Sequence, residues 1–509
     1  MSTRTCLLLA FVAGTLFAAE DQWFVRDEAP PKSKAPRGTI SAAETVLLGG
    51  GPVVPLRQSE RKKPPKPDLL AAKVIWGESA TFTSADGKKM PIADWNLVDN
   101  DLESMTKSAQ QVGIAGHWTN MNLDEFNYDP GAMPSLLFSG VRTFKLPPAE
   151  RGKLREYVLK GGTIILDSIY GSPYFYESAK KVLETTFPEE RFRELPADHP
   201  VYHMFHDIET VNYPEDPQTT KPQLEAIYIG SRAAILLSKQ GLGTGWDGNQ
   251  RVFAKLKQRG LAPEYYDIKS ANQIATNLSG YIAGYLDVGM IEGTPELFGL
   301  PDEKRPTDEF VFAQIKHDGA WNVHPGAAPS LLVEVRNATA IRVNLKRVAV
   351  DPGKDELAPF PFLYLTGLDD FVFSDAAVAE LQKFFKNGGK LLANNGLGLK
   401  TFDAACRREL ARVLPGRKLG VIPEKHDLYS TLEQVTKVRY TPALLKAHPE
   451  LGGKPYLEGI AQDGALQVIY SPYDLEAGWL NVDYPLSRGY QPASARALGM
   501  NIIAYAIAN

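Results

Sequence analysis

The sequence predicts an α/β chain of two tandem domains, each built on a largely parallel central sheet. Three observations lead there. Residues 134–202 lie over 361–429 without a gap at a constant offset of 227, with 15 identities in 69 positions, so the chain contains an internal duplication. Apolar strand-like runs alternate with amphipathic helical runs in each copy, the pattern of layered α/β folds. With 509 residues and 44% hydrophobic content, the chain has enough apolar material for two cores.

The shared residues are mostly of the kind that shape backbone. They include Pro134/Pro361, Gly140/Gly367, Gly161-Gly162/Gly388-Gly389, Gly171/Gly398, His199/His426 and Tyr202/Tyr429. Glycine permits positive φ and close packing, and proline fixes φ, so the copies share a fold more visibly than a reactive site. The likeness extends to Trp95-Asn96/Trp321-Asn322, Gly245-Trp246/Gly478-Trp479 and Asn277/Asn501.

In the first copy, residues 71–76, 134–139 and 163–166 are expected as strands. Residues 225–229 and 233–238 form a strand pair, and 97–112, 149–160, 174–186 and 271–285 are helices. Pro147-Pro148 opens one of these helices and Gly161-Gly162 stops it. The second copy repeats the order: strands at 362–366, 390–393 and 467–470, helices at 374–386 and 402–413. The resulting division is an export signal at 1–19, a Pro/Lys-rich flexible tether at 20–68, repeat 1 at 69–290, a linker at 291–307 and repeat 2 at 308–509.

The export signal is read from Arg4 followed by an apolar run over residues 7–19, too short to span a bilayer. It places the protein in the periplasm or outside the cell, with an uncleaved anchor as the lesser alternative. No transmembrane segment is expected after it. Cys406 is then the only thiol, so no internal disulfide is available. A net charge of −4, without a basic stripe, argues against nucleic acid as a partner.

The segments WNVHPGAAPSLLVEVRNATAIRV, PFLYLTGLDDF, ELQKFFKNGGKLLANN and LPADHPVY resemble the bacterial domain-of-unknown-function 4159 family. YVLKGGTIILDSIYG resembles the wider glutamine-amidotransferase-like, flavodoxin-like group. The resemblance covers nearly the whole chain after the tether and is more complete in repeat 2, since repeat 1 lacks the His-Pro after Trp-Asn. It implies two tandem flavodoxin-like, class I glutamine-amidotransferase-like domains, and no particular reaction. Family members often lie beside genes for MoxR-type ATPases, which implies a protein partner, here in the cell envelope.

Enzymes of the amidotransferase-like group carry a cysteine on a tight strand-to-helix turn. The matching turns, residues 166–171 and 393–398, hold none. Cys406 is expected to be a small buried thiol. Ser168 could stand in for the cysteine, with His199 as base and Asp167 beside it, although the surroundings are not G-x-S-x-G and signal no strained elbow. Against that, His199 and its counterpart His426 could simply bond loop backbone. His199, His203 and His206 fall at i, i+4 and i+7, which on a helix could bind zinc and in an extended loop could not. Trp246 and Trp479 are either exposed stacking platforms or core anchors. Arg232 is either an anion clamp or a surface loop residue. No cofactor is expected. Two readings follow: a non-catalytic binding or scaffold protein built from two degenerate domains, or an extracytoplasmic hydrolase-like enzyme with one site in repeat 1.

Overall fold

A computed structural model describes residues 19–26 and 69–509, apart from 84–86, 88, 99, 115, 248–249, 295, 307 and 483. The expected signal, save Ala19, and residues 27–68 of the expected tether lie outside the described residues.

Repeat 1 has a seven-stranded sheet of β1 (Leu69–Val74), β2 (Gly116–Met121), β3 (Ser135–Gly140), β4 (Thr163–Ser168), β5 (Arg193–Glu194), β6 (Leu224–Ile229) and β7 (Arg232–Ser238). The spatial order is β2-β1-β3-β4-β7-β6-β5, parallel except for β6. All residues of β3, β4 and β7 are buried, because helices cover both faces, and such strands read as unbroken apolar runs. The helices are α1 (Asp101–Gln111), α2 (Pro148–Leu159), α3 (Pro173–Thr186), α4 (Leu242–Asp247), α5 (Gln250–Gln258) and α6 (Ile268–Glu292). Residues of α2 and α3 form the core on one face, and those of α1, α4 and α6 the core on the other.

Repeat 2 reproduces this layout. Its sheet holds β8 (Ala313–Ile315), β9 (Val348–Val350), β10 (Phe362–Gly367), β11 (Lys390–Asn395), β12 (Gly420–Val421), β13 (Glu458–Gln462) and β14 (Ala465–Ser471), in the order β9-β8-β10-β11-β14-β13-β12. Its helices are α7 (Ala327–Ala338), α8 (Asp375–Lys386), α9 (Lys400–Val413), α10 (Pro442–Ala447), α11 (Glu476–Trp479) and α12 (Pro492–Ala508). The shared glycine pair has a steric reason. A Cβ on Gly162 would lie 2.3 Å from the Tyr157 ring, and one on Gly389 would lie 2.3 Å from the Phe384 ring.

Two expected boundaries shift. Residues 19–26, assigned to the signal and tether, pack against repeat 1, with Trp23 and Val25 buried beside Val141, Ile169 and Tyr170. The last helix of repeat 1 runs through Glu292, into the expected linker.

Each closing helix is fastened by the same side chains. The Asn277 amide oxygen accepts from the N–H groups of Phe205 and His206 at 3.0 and 2.9 Å, and its nitrogen donates to the His206 carbonyl at 2.8 Å. Asn501 does the same for Leu432 and Glu433 at 3.0, 2.9 and 2.8 Å. The Tyr281 hydroxyl accepts from Ala233 N–H, and that of Tyr505 from Leu466 N–H. Because Asn501 is fully buried, Asn501→Ala strands two backbone donors. We expect it to lower stability by about 1–3 kcal/mol in urea unfolding.

Candidate functional site

In open parallel sheets, ligands bind outside the carboxyl ends of the strands, where the strand order reverses. Here that point lies between β1 and β3 and between β8 and β10. Each sheet also has a sharp turn at this edge. After β4, Tyr170 has φ 59° and Gly171 φ 74°; after β11, Leu397 has φ 55° and Gly398 φ 68°. Left-handed Tyr and Leu are strained, so the strained elbow not signalled at Ser168 is present, centred two residues later. The residue at its peak is buried in both repeats. Its N–H is already engaged, Tyr170 with Thr244 Oγ1 and Leu397 with Asp474 Oδ2, both at 2.9 Å.

Asp167, Ser168 and His199 do not form a site. Asp167 accepts from Leu242 and Gly243 N–H at 2.7 and 2.8 Å and so caps α4. Its counterpart Asn394 accepts from Leu475 N–H at 2.9 Å, ahead of α11. Burial raises the Asp167 pKa to about 7, although the two N–H donors pull the other way. The Ser168 hydroxyl is buried, with no hydrogen-bond partner among the described residues. His199 is fully buried and its Nδ1 accepts from Val201 N–H at 3.2 Å, while His426 takes Leu428 N–H at 3.1 Å. Burial presses the His199 pKa down to about 3. Its ring packs on Tyr228 and Tyr281. Tyr228 pairs with Ala233 of β7, five residues before Ser238, which pairs with Asp167. Those pairings are about 17 Å apart along the strand, so the base and the hydroxyl serve opposite ends of the sheet.

The remaining candidates also turn out to be structural. His203 bonds Asp207 at 3.2 Å and the Ala197 carbonyl at 2.9 Å, and among the described residues no group of three His, Cys, Asp or Glu side chains could hold a metal. His199 packs in the core against Tyr228 and Tyr281, and His206 enters the Asn277 clamp through its backbone. Trp246 and Trp479 are buried and donate to the Ala271 and Ala495 carbonyls at 2.8 and 3.0 Å. Arg232, also buried, donates to the Val158 and Gly162 carbonyls at 2.8 and 2.9 Å, closing the end of α2 rather than facing solvent. In repeat 2 Gln467 meets the equivalent Phe385 carbonyl at 2.8 Å. Cys406 is buried, and burial pushes its pKa up.

The chemically richest cluster was not anticipated. His324, fully buried, bonds Glu292 Oε1 through Nδ1 at 2.8 Å and Asp474 Oδ2 through Nε2 at 3.0 Å. Nearby, Arg347 bonds Glu296, Gln314 and Asn322. Glu476 is buried with neither oxygen in a hydrogen bond of standard geometry and Arg347 Nη1 3.6 Å away. Burial raises the Glu476 pKa to about 7. In repeat 1 the comparable edge has a buried Lys73–Asp101 pair at 2.5 Å. The one legible signal was the break in repeat symmetry, His324 standing where repeat 1 has Val98. A polar hollow of about 310 Å³, lined by Lys316, His317, Asp318, Trp321, Asp351 and Ser374 among others, lies near the switch point of repeat 2. His317 is held neutral there: burial presses its pKa to about 4, and its ring bonds the Thr366 carbonyl and Gly319 N–H.

The strained turn at each carboxyl edge is covered. Leu97, Val141 and Tyr170 of repeat 1 lie under Trp23 and Val25 of the N-terminal arm and under α5. Their counterparts Val323, Leu368 and Leu397 belong to a core cluster continuous with the α6 layer of repeat 1. The arm is also tied by Glu20, which accepts from Thr143 N–H and Oγ1 at 2.9 and 2.5 Å. Across the repeats, Asp198 accepts from Arg488 Nη1 and Lys400 N–H at 2.9 and 3.0 Å.

A family model described as a domain of unknown function (DUF4159) matches residues 93–282 and 311–507, most of the chain in two copies, and the chain belongs to that family. No curated protein matches it.

Burial alone would lower the His324 pKa, but Asp474 and Glu292 outweigh it and raise it to about 10. A raised folded pKa gives stability that is full below the unfolded value of about 6.5, declines as pH rises, and is gone above the folded value. Thermal stability should therefore fall from about pH 8 to 10, a window above the Asp167 and Glu476 transitions. His324→Gln should melt lower throughout and flatten that slope.

Proposed function

We propose that this tandem member of the domain-of-unknown-function 4159 family is an exported, non-catalytic binding or scaffold protein of the cell envelope. The observation that carries the reading is the covering of the strained turn at each carboxyl edge by the chain itself, the arm over repeat 1 and repeat 1 over repeat 2. A doubly wound domain that used such a turn on a substrate would need it open.

Further support comes from what the two repeats have in common. His199/His426, Asn277/Asn501 and Trp246/Trp479 satisfy backbone groups in each, so the retained polar chemistry serves the fold. The strained turns are consistent with descent from an amidotransferase-like enzyme, and buried Tyr170 and Leu397 at their peaks offer no nucleophile. Export rests on Arg4 and the apolar run that follows it. A periplasmic or extracellular scaffold of this kind would meet protein partners.

The hydrolase-like alternative requires Ser168 and His199 in one cleft. A panel of activated esters, anilides and glutamine should show no turnover above buffer with the purified chain. Turnover that disappears in Ser168→Ala or His199→Ala, with the melting curve unchanged, would restore the enzyme reading.

A further inference from the structure

The polar hollow of about 310 Å³ in repeat 2 lies where doubly wound domains hold their ligands, at the small end of the range for ligand pockets. Lys316 and Trp321 follow β8, Asp351 follows β9, and Phe373 and Ser374 lead from β10 into α8. Lys316, Asp318 and Val372 at its margin are exposed, so it meets solvent, unlike the strained turn nearby.

In repeat 1 an indole stands in this place. Lys316 N–H bonds the Val350 carbonyl at 2.7 Å as Ile75 N–H bonds that of Met121 at 2.8 Å, so Lys316-His317-Asp318 replaces Ile75-Trp76-Gly77. Trp76 Nε1 donates to the Ser139 carbonyl at 3.0 Å and its ring packs on Phe144 and Phe175. His317 bonds the Thr366 carbonyl at 2.8 Å and packs on the equivalent Phe371 and Phe402. The smaller imidazole vacates part of the indole's space, and Ser374 replaces Pro147 beside it. Positions that are apolar or bare in repeat 1 are thus polar around a hollow in repeat 2. The loop is held: the Gly319 carbonyl accepts from Leu368 and Asp369 N–H at 3.1 and 3.2 Å. Ala320, buried with φ 55°, carries left-handed strain of the kind that clusters at binding sites.

We infer that this hollow binds one neutral, hydroxyl-rich sugar ring. The charges around it balance: Lys316, Lys354 and Arg191 stand among Asp318, Asp351 and Asp355, with Lys354 2.7 Å from Asp351 and Arg191 3.8 Å from Asp318. An ionic ligand gains little net attraction from such a rim, and an apolar one would leave its polar groups stripped of water. A sugar matches both halves of the lining. Its hydroxyls donate to Asp351 and accept from Lys316, while Ser374, whose oxygen takes Ala377 N–H at 3.2 Å, keeps its own proton to donate. Its C–H face lies on half-buried Trp321, whose ring is packed on Phe298 at 5.4 Å between centroids and has the Lys316 ammonium 5.8 Å from its centre. His317 shapes the hollow without binding in it, because both its ring nitrogens are engaged. The assignment goes beyond the scaffold reading, since it needs neither export nor a protein partner.

The test is saturation-transfer NMR of the full chain titrated with glucose, galactose, mannose and N-acetylglucosamine, and with glycine, acetate and tetramethylammonium as ionic probes. We expect at least one sugar to saturate with a Kd on the order of millimolar, as about a dozen heavy atoms allow, with the strongest transfer to its ring C–H protons. Trp321→Ala should weaken it roughly tenfold. His317→Trp, which returns repeat 1's own side chain to a pocket of the same two phenylalanines, should abolish saturable binding while the melting curve stays cooperative. Absence of saturation by all four sugars, equal affinity in both variants, or binding of an ionic probe as tight as that of the sugars overturns the assignment. Failure here with a silent hydrolase panel leaves the scaffold reading standing, whereas turnover in the panel removes that reading and leaves the sugar titration to be judged on its own.

Discussion

One imidazolium joins the two halves of the molecule. His324 is clamped between Glu292 at the end of the last helix of repeat 1 and Asp474 in repeat 2, all three beyond the reach of solvent. Asp474 does more than balance charge, since it also takes the N–H groups of Leu397, Glu476 and Ala477 at 2.9, 2.9 and 3.3 Å. The strained turn after β11, the start of α11 and the domain boundary therefore share one carboxylate. Removing one partner from such a buried set leaves an uncompensated charge, at about 3–5 kcal/mol. Glu292 is fixed in turn by Ser231 N–H at 2.8 Å, at the turn between β6 and β7. The relative placement of the repeats is thus wired into both sheets and is no property of a linker.

The polar residues the repeats share form a second layer of constraint. Asp167 and Asn394 differ in charge yet hold equivalent amides at the start of α4 and α11. Arg232 and Gln467 come from different positions in their strands and meet the same carbonyl at the end of α2 and α8. What persists is an obligation to satisfy buried backbone groups, because leaving one unmet costs more than the choice of side chain. A histidine retained at equivalent positions in both copies is therefore weak evidence for catalysis here.

Much of the fold was legible because its central strands are buried on both sides and flanked by long amphipathic helices, so 134–139, 163–166 and 362–366 stand out as apolar runs. Short edge strands such as Arg193–Glu194 and Gly420–Val421 carry no periodicity to read. The helix Leu242–Asp247 contains two glycines and reads as a turn; packing against α6 and the Asp167 cap make it helical. The candidate sites were less legible, because their meaning depends on contacts distant in sequence. His324 lies 32 residues from Glu292 and 150 from Asp474, and no local motif announces either contact. Likewise, the spacing of His199, His203 and His206 gave no hint that the first ring faces the core. The arm at residues 19–26 was absorbed into a stretch rich in proline and lysine, although Trp23 is the kind of residue such a stretch rarely contains.

That arm bears on what a repeat needs beside it. The arrangement is head-to-tail: one repeat covers the strained turn at the carboxyl edge of the next, so the two use different surfaces. Leu97, Val141 and Tyr170 stand where their counterparts in repeat 2 receive a neighbouring domain, and in this chain Trp23, Val25 and α5 fill that place. Eight residues and a short inserted helix thus take, over repeat 1, the place that a whole domain takes over repeat 2.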